Sequence, residues 1–585
     1  MQQQIRNKLK ELYPEITDNL IQLQKTKTDF EGDVTLVVFP LLRITKKNPE
    51  ESGKVIGEFL KKEISFVTGF NVVKGFLNLE ISSDYWLNKF QDILNIENYG
   101  VAEKTDKTYI VEFSSPNTNK PLHLGHLRNI FLGYSVANIL KANGHDVVKT
   151  QIINDRGIHI CKSMLAWQLF GNNETPESSG LKGDKLVGKY YVIFDQKYKE
   201  EIKQLIEAGE EKEKAEKEAS ILLKAQEMLK KWEEGEEEVV KLWGMMNSWV
   251  YKGFDVTYDT MGVDFDSLYY ESDTYILGKD IVESGLEKGV LYKKEDGSVW
   301  CDLSSEKMDD KLLLRGDGTS VYMTQDVGTA VKRFEDYPKT VGMIYTVGNE
   351  QEHHFKVLFT ILKKLGYSFA DECFHLSYGM VNLPTGKMKS REGTVVDADD
   401  LMAEVIQDAK NITEERGKIE SLNPDQQEEL FAQIGLGGLK YYLLKVDPKK
   451  SMMFNPAESI DLNGNTGPFI QYTFARTQSI VNKQRGEVSQ LNLNTEVEKS
   501  EVDIIKHLLD LPEMIQEAGK SYSPALVANY TYDLVKLYNS FYQSVSIFKE
   551  EDQSKQNVRL LLTEKVAKTV RFTMSLMGIE VPSKM

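Results

Sequence analysis

"VEFSSPNTNKPLHLGHLRN", residues 111–129, runs from an apolar, β-prone stretch through a turn rich in Asn and Pro into a helix-forming segment. Beyond it Leu127, Ile130, Phe131, Tyr134 and Ala137 recur on one helical face, Gly144 in "KANGHD" marks a stop, and "DVVKTQIIND" resumes a strand. Residues 109–153 therefore read as one strand–helix–strand unit of the parallel kind, with the histidines where strand gives way to helix. A helix start exposes unpaired N–H groups and a partial positive charge, which suits a phosphate. Gly125 lets a nucleotide lie against the backbone, His123 and His126 supply donors, and Lys120 adds a full charge. Phosphoryl chemistry needs such positioning and charge more than covalent help. Two histidines three apart also fit a surface accident or a metal site, but ligation would add a third Asp, Glu, His or Cys in register, and the local partners are Lys120 and Arg128.

The same alternation returns between Ser320 and Val396: "SVYMT" as strand, "DVGTAVKRFEDY" as helix, "VGMIYTVG" as strand, "EQEHHFKVLFTILKKLG" as helix, then "FHLSYGMVNL". The two stretches read as halves of one doubly wound nucleotide-binding sheet, split by an insertion. That insertion, roughly Asn172 to Gly235, alternates charge so densely that it reads as a solvated helical hairpin. Residues 1–100 mix amphipathic helical and strand-like pieces, and the chain beyond Thr466 reads as helical, with Leu534, Leu537, Phe541, Val545 and Phe548 spaced like one buried stripe. A chain of 585 residues exceeds what one core can organise. The expected class is α/β: a doubly wound, parallel-sheet (Rossmann-like) domain with a small α+β N-terminal domain and an all-α C-terminal domain. The boundaries expected are 1–100, 101–171 (first half of the sheet), 172–238 (insertion), 239–396 (second half), 397–464 (helical connection) and 465–585.

With 41% hydrophobic and 28% charged residues and no apolar run long enough to cross a bilayer, the chain reads as soluble. Its first residues lack a signal-peptide pattern, so a cytoplasmic location is expected. Cys161, Cys301 and Cys373 are widely spaced, without a CxxC pair, arguing against a disulfide framework and a structural zinc. The net charge of −17 would discourage a nucleic-acid partner, but from Asn465 to Met585 the 14 Lys+Arg balance 14 Asp+Glu, so the acidic excess lies upstream.

"LPTGKMKSREGT", residues 383–394, gathers Gly386, Lys387, Lys389, Arg391 and Gly393 after a late strand, as a loop that sets cations over a leaving pyrophosphate would. With this pair of motifs in order, the sequence resembles the class I aminoacyl-tRNA synthetases: "HLGH" is similar to their HIGH motif and "KMKSR" to their KMSKS loop. The likeness is closest to the arginyl enzymes, whose blocks "SVYMTQDVGTAVKR", "YTVGNEQEHHFKVLF", "GMVNLPTGKMKSREGTVV", "NTGPFIQYTFARTQSI" and "LMGIEVPSKM" resemble in order. One departure stands out. The family's second loop lysine occupies the fourth position, whereas here Lys387 and Met388 are followed by Lys389 and Ser390. Arginyl enzymes lacking that lysine carry one just before HIGH, and Lys120 matches it.

The resemblance implies a two-step reaction, with arginine activated by ATP and Mg²⁺ and then passed to the 3′ end of tRNA(Arg), AMP and pyrophosphate being released. It implies catalytic roles for Lys120, His123, His126, Lys387, Lys389 and Arg391. ATP contacts are implied at Pro116, Asn117, Leu124, Gly125, Gly379, Met380, Val381, Lys387 and Met388. The metal is expected to be held mainly by ATP, with no protein ligands. Arginine is expected at Glu112, Ser114, Asn117, His126, Tyr322, Asp326 and Gln351; Tyr322 and Asp326, four apart, fall on one side of a helical turn, and a carboxylate suits the guanidinium fork. Glu112 is also a candidate buried partner for a helix terminus. Tyr472 and Arg476 are expected at tRNA, with Tyr530, Tyr532, Tyr538 and Tyr542 as further stacking candidates of which about half belong to a core. The N-terminal domain is expected at the tRNA elbow and the chain is expected to be a monomer. Two rival readings remain: a small-metabolite nucleotidyltransferase using HxGH, and an RNA-binding protein with a dead site. The late lysine loop counts against the first, and the intact HLGH, Lys387 and Asp326 against the second.

Overall fold

A computed structural model describes residues 1–27, 29–382, 396–415, 422–484 and 491–585. Two compact units result. The first joins residues 1–99 to 477–511 and 533–569. Its antiparallel sheet, in the order β1 (Leu23–Lys25), β2 (Val34–Val37), β4 (Phe76–Ile81), β3 (Val67–Val73), buries Leu36, Leu77 and Leu79. The Pro49–Glu63 helix packs on it through Ile56 and Leu60, and begins where Asn48 accepts from the Glu51 amide at 2.9 Å and Pro49 fills the first turn. C-terminal helices complete the unit. Lys506 of the Lys499–Leu509 helix pairs with Asp33, and Lys565 donates to the Ile93 carbonyl at 2.5 Å.

The second unit, residues 100–476, 512–532 and 570–585, is built on five strands: β5 (Thr108–Glu112), β6 (Asp146–Ile153), β7 (Ser267–Tyr270), β11 (Thr340–Gly348) and β12 (Phe374–Tyr378). Their order is β12-β11-β5-β6-β7 and every pairing is parallel. All of β5 is buried, as a strand covered on both faces must be. Ile110 and Glu112 point toward the Tyr322–Asp336 helix, where Ile110 shares a core with Val327, Ala330 and Leu358. The chain runs from β5 to β6 and β7 on one side and returns to β11 and β12 on the other. The order therefore reverses between β5 and β11, and in open parallel sheets the crevice at the carboxyl ends beside that reversal is where ligands bind.

Two readings of the sequence are corrected. "SVYMT" is not a strand: Val321 is extended, but Tyr322 already opens a helix whose Met323, Val327, Ala330 and Val331 bury at helical period. The strands before it, β8 (Leu291–Lys293), β9 (Val299–Cys301) and β10 (Lys311–Leu314), form a separate antiparallel sheet. The supposed stripe from Leu534 to Phe548 breaks because the Pro524–Ser544 helix ends before Val545, leaving Phe548 47% exposed. The insertion is helical as expected, with long helices at Gly183–Glu207 and Ser220–Glu233 laced by i,i+4 ion pairs such as Lys199–Asp195 and Lys231–Glu227. No helix among the described residues is long and apolar enough to cross a membrane.

Candidate active site

Just past β5 the backbone does something costly. Ser114 and Ser115 take φ of 69° and 44°, left-handed values that side-chain-bearing residues populate sparsely. The surroundings hold them there. The Ser114 amide donates to Asn129 Oδ1 at 2.5 Å, and Ser114 Oγ shares a 2.7 Å hydrogen bond with the Tyr258 hydroxyl. Ser115 Oγ donates to Glu112 Oε1 at 3.1 Å and accepts from the Ile152 amide at 3.2 Å. The kink turns the chain away from the sheet, and Pro116 and Thr118 then exchange backbone hydrogen bonds with Asn154, beyond β6. Asn129 also donates to the Thr346 carbonyl of β11 at 2.6 Å, spanning the crevice.

The helix that follows, Leu124–Ala142, begins with a reciprocal cap built from the two histidines. His123 Nδ1 accepts from the Gly125 amide and His126 Nδ1 accepts from the His123 amide, both at 3.1 Å. The ring centroids are 3.9 Å apart. An Nδ1 that accepts must keep its lone pair, so each neutral ring carries its hydrogen on Nε2. Burial, aided by Lys120, holds His123 down at about 4; burial, then His123 and Lys120, pushes His126 well below its ordinary value. Both are neutral donors at pH 7. A side chain at Gly125 would bring a Cβ within 3.0 Å of the His123 ring, so glycine keeps this cap open. Leu124, wholly buried, serves the site through its backbone: its amide donates to the Val396 carbonyl at 3.2 Å.

Arg128, one turn on, is not a phosphate ligand. It is wholly buried and donates to the carbonyls of Gly379 at 2.5 Å and of Asp447 and Pro448 at 3.3 Å, with burial lowering its guanidinium to about 10. This fastens the segment after β12, Gly379 to Val381, against the histidine-bearing helix; Val381 is buried and Met380 exposed. Gly386, Lys387, Met388, Lys389, Arg391 and Gly393 lie outside the described residues. On the downstream side, Ala398 donates to the Leu122 carbonyl at 2.9 Å and Asp397 bridges His123 in antiparallel fashion. Lys120 and His123 line a cavity of about 240 Å³ with Lys185, Tyr191 and Asp397.

A second cavity, about 360 Å³, is lined by Asn117, Asn154, Arg156, Glu271, Tyr322 and Gln325, among others, so the loops after β5, β6 and β7 all reach it. Tyr322 is 77% exposed at the helix start. Asp326 lies one turn further and bonds His354 Nε2 at 2.6 Å; burial raises its carboxyl, and that hydrogen bond restrains the rise. Glu271, which the sequence did not single out, is pushed up to about 7, first by burial, with Arg156 lowering it and Asp155 and Asp326 raising it. Glu112 pairs with buried Arg333, whose guanidinium also sits 5.0 Å from the Tyr269 ring. Glu112 is thus a buried ion-pair partner of a side chain, where its alternative reading is a partner for a helix terminus. Gln351 is exposed in the turn before the Glu352–Lys364 helix, and the residue of that helix that meets Asp326 is His354. Arg333, His354, Asn129 and Glu271 were all missed. The first three stand inside the quoted blocks, but only the fold shows what they touch.

Far along the chain, Tyr472 and Arg476 stack at 5.2 Å on a partly exposed face of the Gly467–Lys483 helix. Tyr530 and Tyr538 are core, Tyr532 is half-buried and Tyr542 exposed.

The family model described as tRNA synthetases class I (R), catalytic domain, matches residues 89–455, and the DALR anticodon binding domain matches 470–585. A parallel sheet that reverses beside an HxGH helix cap is thus the catalytic centre of a class I aminoacyl-tRNA synthetase. The chain is 56% identical over 583 residues to an arginine–tRNA ligase of Flavobacterium psychrophilum, covering 98% of this chain and 97% of that one. It is also 56% identical to that of Parabacteroides distasonis, covering 99% and 98%. In fold it resembles the Thermus thermophilus arginyl-tRNA synthetase, with a TM-score of 0.77 at 24% identity across 100% of this chain and 99% of the other. The chain belongs to the arginyl-tRNA synthetase family. It activates L-arginine with ATP and charges tRNA(Arg), releasing pyrophosphate and AMP.

Proposed function

We propose that His123 and His126 present their Nε2–H groups to the triphosphate of ATP while Lys120 neutralises it. The observation that carries this is the engagement of both Nδ1 atoms by backbone amides, which leaves two neutral, pre-aimed donors. The arginine carboxylate attacks the α-phosphorus in line, an oxygen–phosphorus bond forms, and pyrophosphate leaves with its electron pair. Lys387, Lys389 and Arg391 balance the charge on that leaving group, and Pro116, Asn117, Leu124, Gly125, Gly379, Met380, Val381 and Met388 seat the nucleotide. Mg²⁺, held mainly by the phosphate oxygens of ATP, would spread their charge. The terminal ribose hydroxyl of tRNA then attacks the arginyl carbonyl and AMP departs.

The guanidinium of arginine enters between Tyr322 and Asp326, with Glu271 as a second carboxylate and Gln351 at the rim. Ser114, Asn117, His126 and Glu112 hold its amino and carboxylate ends. Because Arg333 compensates Glu112, that residue contributes hydrogen bonding more than net charge. Tyr472 and Arg476 contact tRNA, residues 1–100 meet its elbow, and the six segments expected from the sequence serve as functional divisions of the two compact units. A monomer in the cytoplasm fits the family.

Arginine-dependent ATP–pyrophosphate exchange, with and without tRNA, tests the assignment. His123→Ala should lower the activation kcat about 100-fold or more, as removal of a pre-aimed donor does. Lys120→Ala should be severe as well. Near-wild-type exchange in Lys120→Ala alongside abolition in Lys389→Ala would reverse the roles of the two lysines.

A further inference from the structure

The first long helix of the insertion, Gly183–Glu207, and the Glu237–Met261 helix approach so closely that a Cβ at Gly183 would meet the Trp249 carbonyl and one at Gly253 would meet Asp184 Oδ1. At that crossing sits a charged cluster the reaction scheme does not use. Asp184 is wholly buried, neither of its carboxylate oxygens has a hydrogen-bond partner among the described residues, and Lys182 Nζ stands 3.3 Å away. Burial pushes Asp184 up to about 6. Lys182 Nζ also bonds Asp399 and the Thr257 hydroxyl, while Thr257 donates to Asp399 Oδ1 at 2.9 Å. Lys185, one turn along, pairs with Asp400 at 2.7 Å and Asp397 at 3.4 Å. Asp397 Oδ1 in turn accepts from the Asp399 amide at 2.9 Å.

The acidic run Asp397–Asp400 is the segment whose backbone lies along the HLGH turn, through Val396 to Leu124, Ala398 to Leu122 and the bridge between Asp397 and His123. The insertion's first long helix therefore reaches the histidine cap through one intermediary. We infer that Lys182 and Asp399, with Thr257, are positioning residues for adenylation: they tie the insertion to the Asp397–Asp400 rail and so fix the HLGH donors against the triphosphate. The inference rests on the assignment of HLGH to ATP. A cationic side chain with more than one donor is suited to the task, because it must bond a hydroxyl and two carboxylates at once.

The test measures arginine-dependent ATP–pyrophosphate exchange on the full chain with saturating tRNA, alongside thermal melting, for Lys182→Met, Asp399→Asn, Lys182→Arg and His123→Ala. Lys182→Met and Asp399→Asn should each lower kcat about tenfold while the arginine KM stays within about twofold, and Lys182→Arg should recover most of the loss. Folded Asp399→Asn with wild-type kcat would overturn the inference, as would a loss expressed only in arginine KM. If Lys182→Met fails to fold, Asp399→Asn decides alone. Should His123→Ala leave exchange intact, the assignment of ATP to HLGH is what fails.

Discussion

At the residue scale, the proposed arginine end of the site gathers three carboxylates, Glu112, Glu271 and Asp326, with different partners. Glu112 is neutralised by Arg333 and Asp326 is bonded to His354, while Glu271 lines the cavity together with Arg156 and Arg315. Asp326 raises the proton affinity of Glu271, and a carboxylate so placed invites a cation; a guanidinium supplies one without a proton of its own to lose. With Glu271 at about 7, its charge is present above that pH and lost below it. Arginine KM should therefore rise as pH falls, by up to about tenfold between pH 8 and pH 6. Steady-state exchange across that range checks this, and Glu271→Gln should flatten the profile while raising KM at pH 8. A profile unchanged by the substitution would mean that Glu271 does not meet the substrate.

At the element scale, the Leu124–Ala142 helix holds two strand ends together. Its Asn129 ties the kink after β5 to β11, and its Arg128 ties the stretch after β12 to the Asp447–Pro448 turn. Arg128→Met would strand the Gly379 carbonyl, while the Asp447 and Pro448 carbonyls would keep the Lys450 and Gly379 amides. A loss of roughly 1–3 kcal/mol is expected from stranding that buried acceptor; urea unfolding of the catalytic unit, followed by tryptophan fluorescence, measures it. The histidine cap, the parallel unit from β5 to β6 and the return through β11 were legible because their signals are local: periodicity, a glycine stop, donors three residues apart. Arg333 and Glu112 are separated by 221 residues and Asn129 from Thr346 by 217, so nothing local announces either pair. "SVYMT" misled for the opposite reason: three residues of alternation are too few to outweigh a helical period that begins inside them.

At the scale of the whole molecule, the first 99 residues do not form a unit alone. They share one with residues 477–511 and 533–569, through Lys506 to Asp33, Lys25 to Asp510 and Lys565 to Ile93. Removing residues 1–99 should cost the Lys499–Leu509 helix and the following helical residues of that unit their protection in hydrogen exchange, while the β5-centred sheet keeps its own. Equal protection in the truncated chain would show that the helices stand by themselves. Because the chain is made from its amino end at roughly 5–20 residues per second, the amino-terminal elements leave the ribosome tens of seconds before the C-terminal helices that complete their unit exist. Asp33 and the Ile93 carbonyl must wait that long for Lys506 and Lys565, so a chain cut short before residue 499 would be left without the contacts that close its first unit.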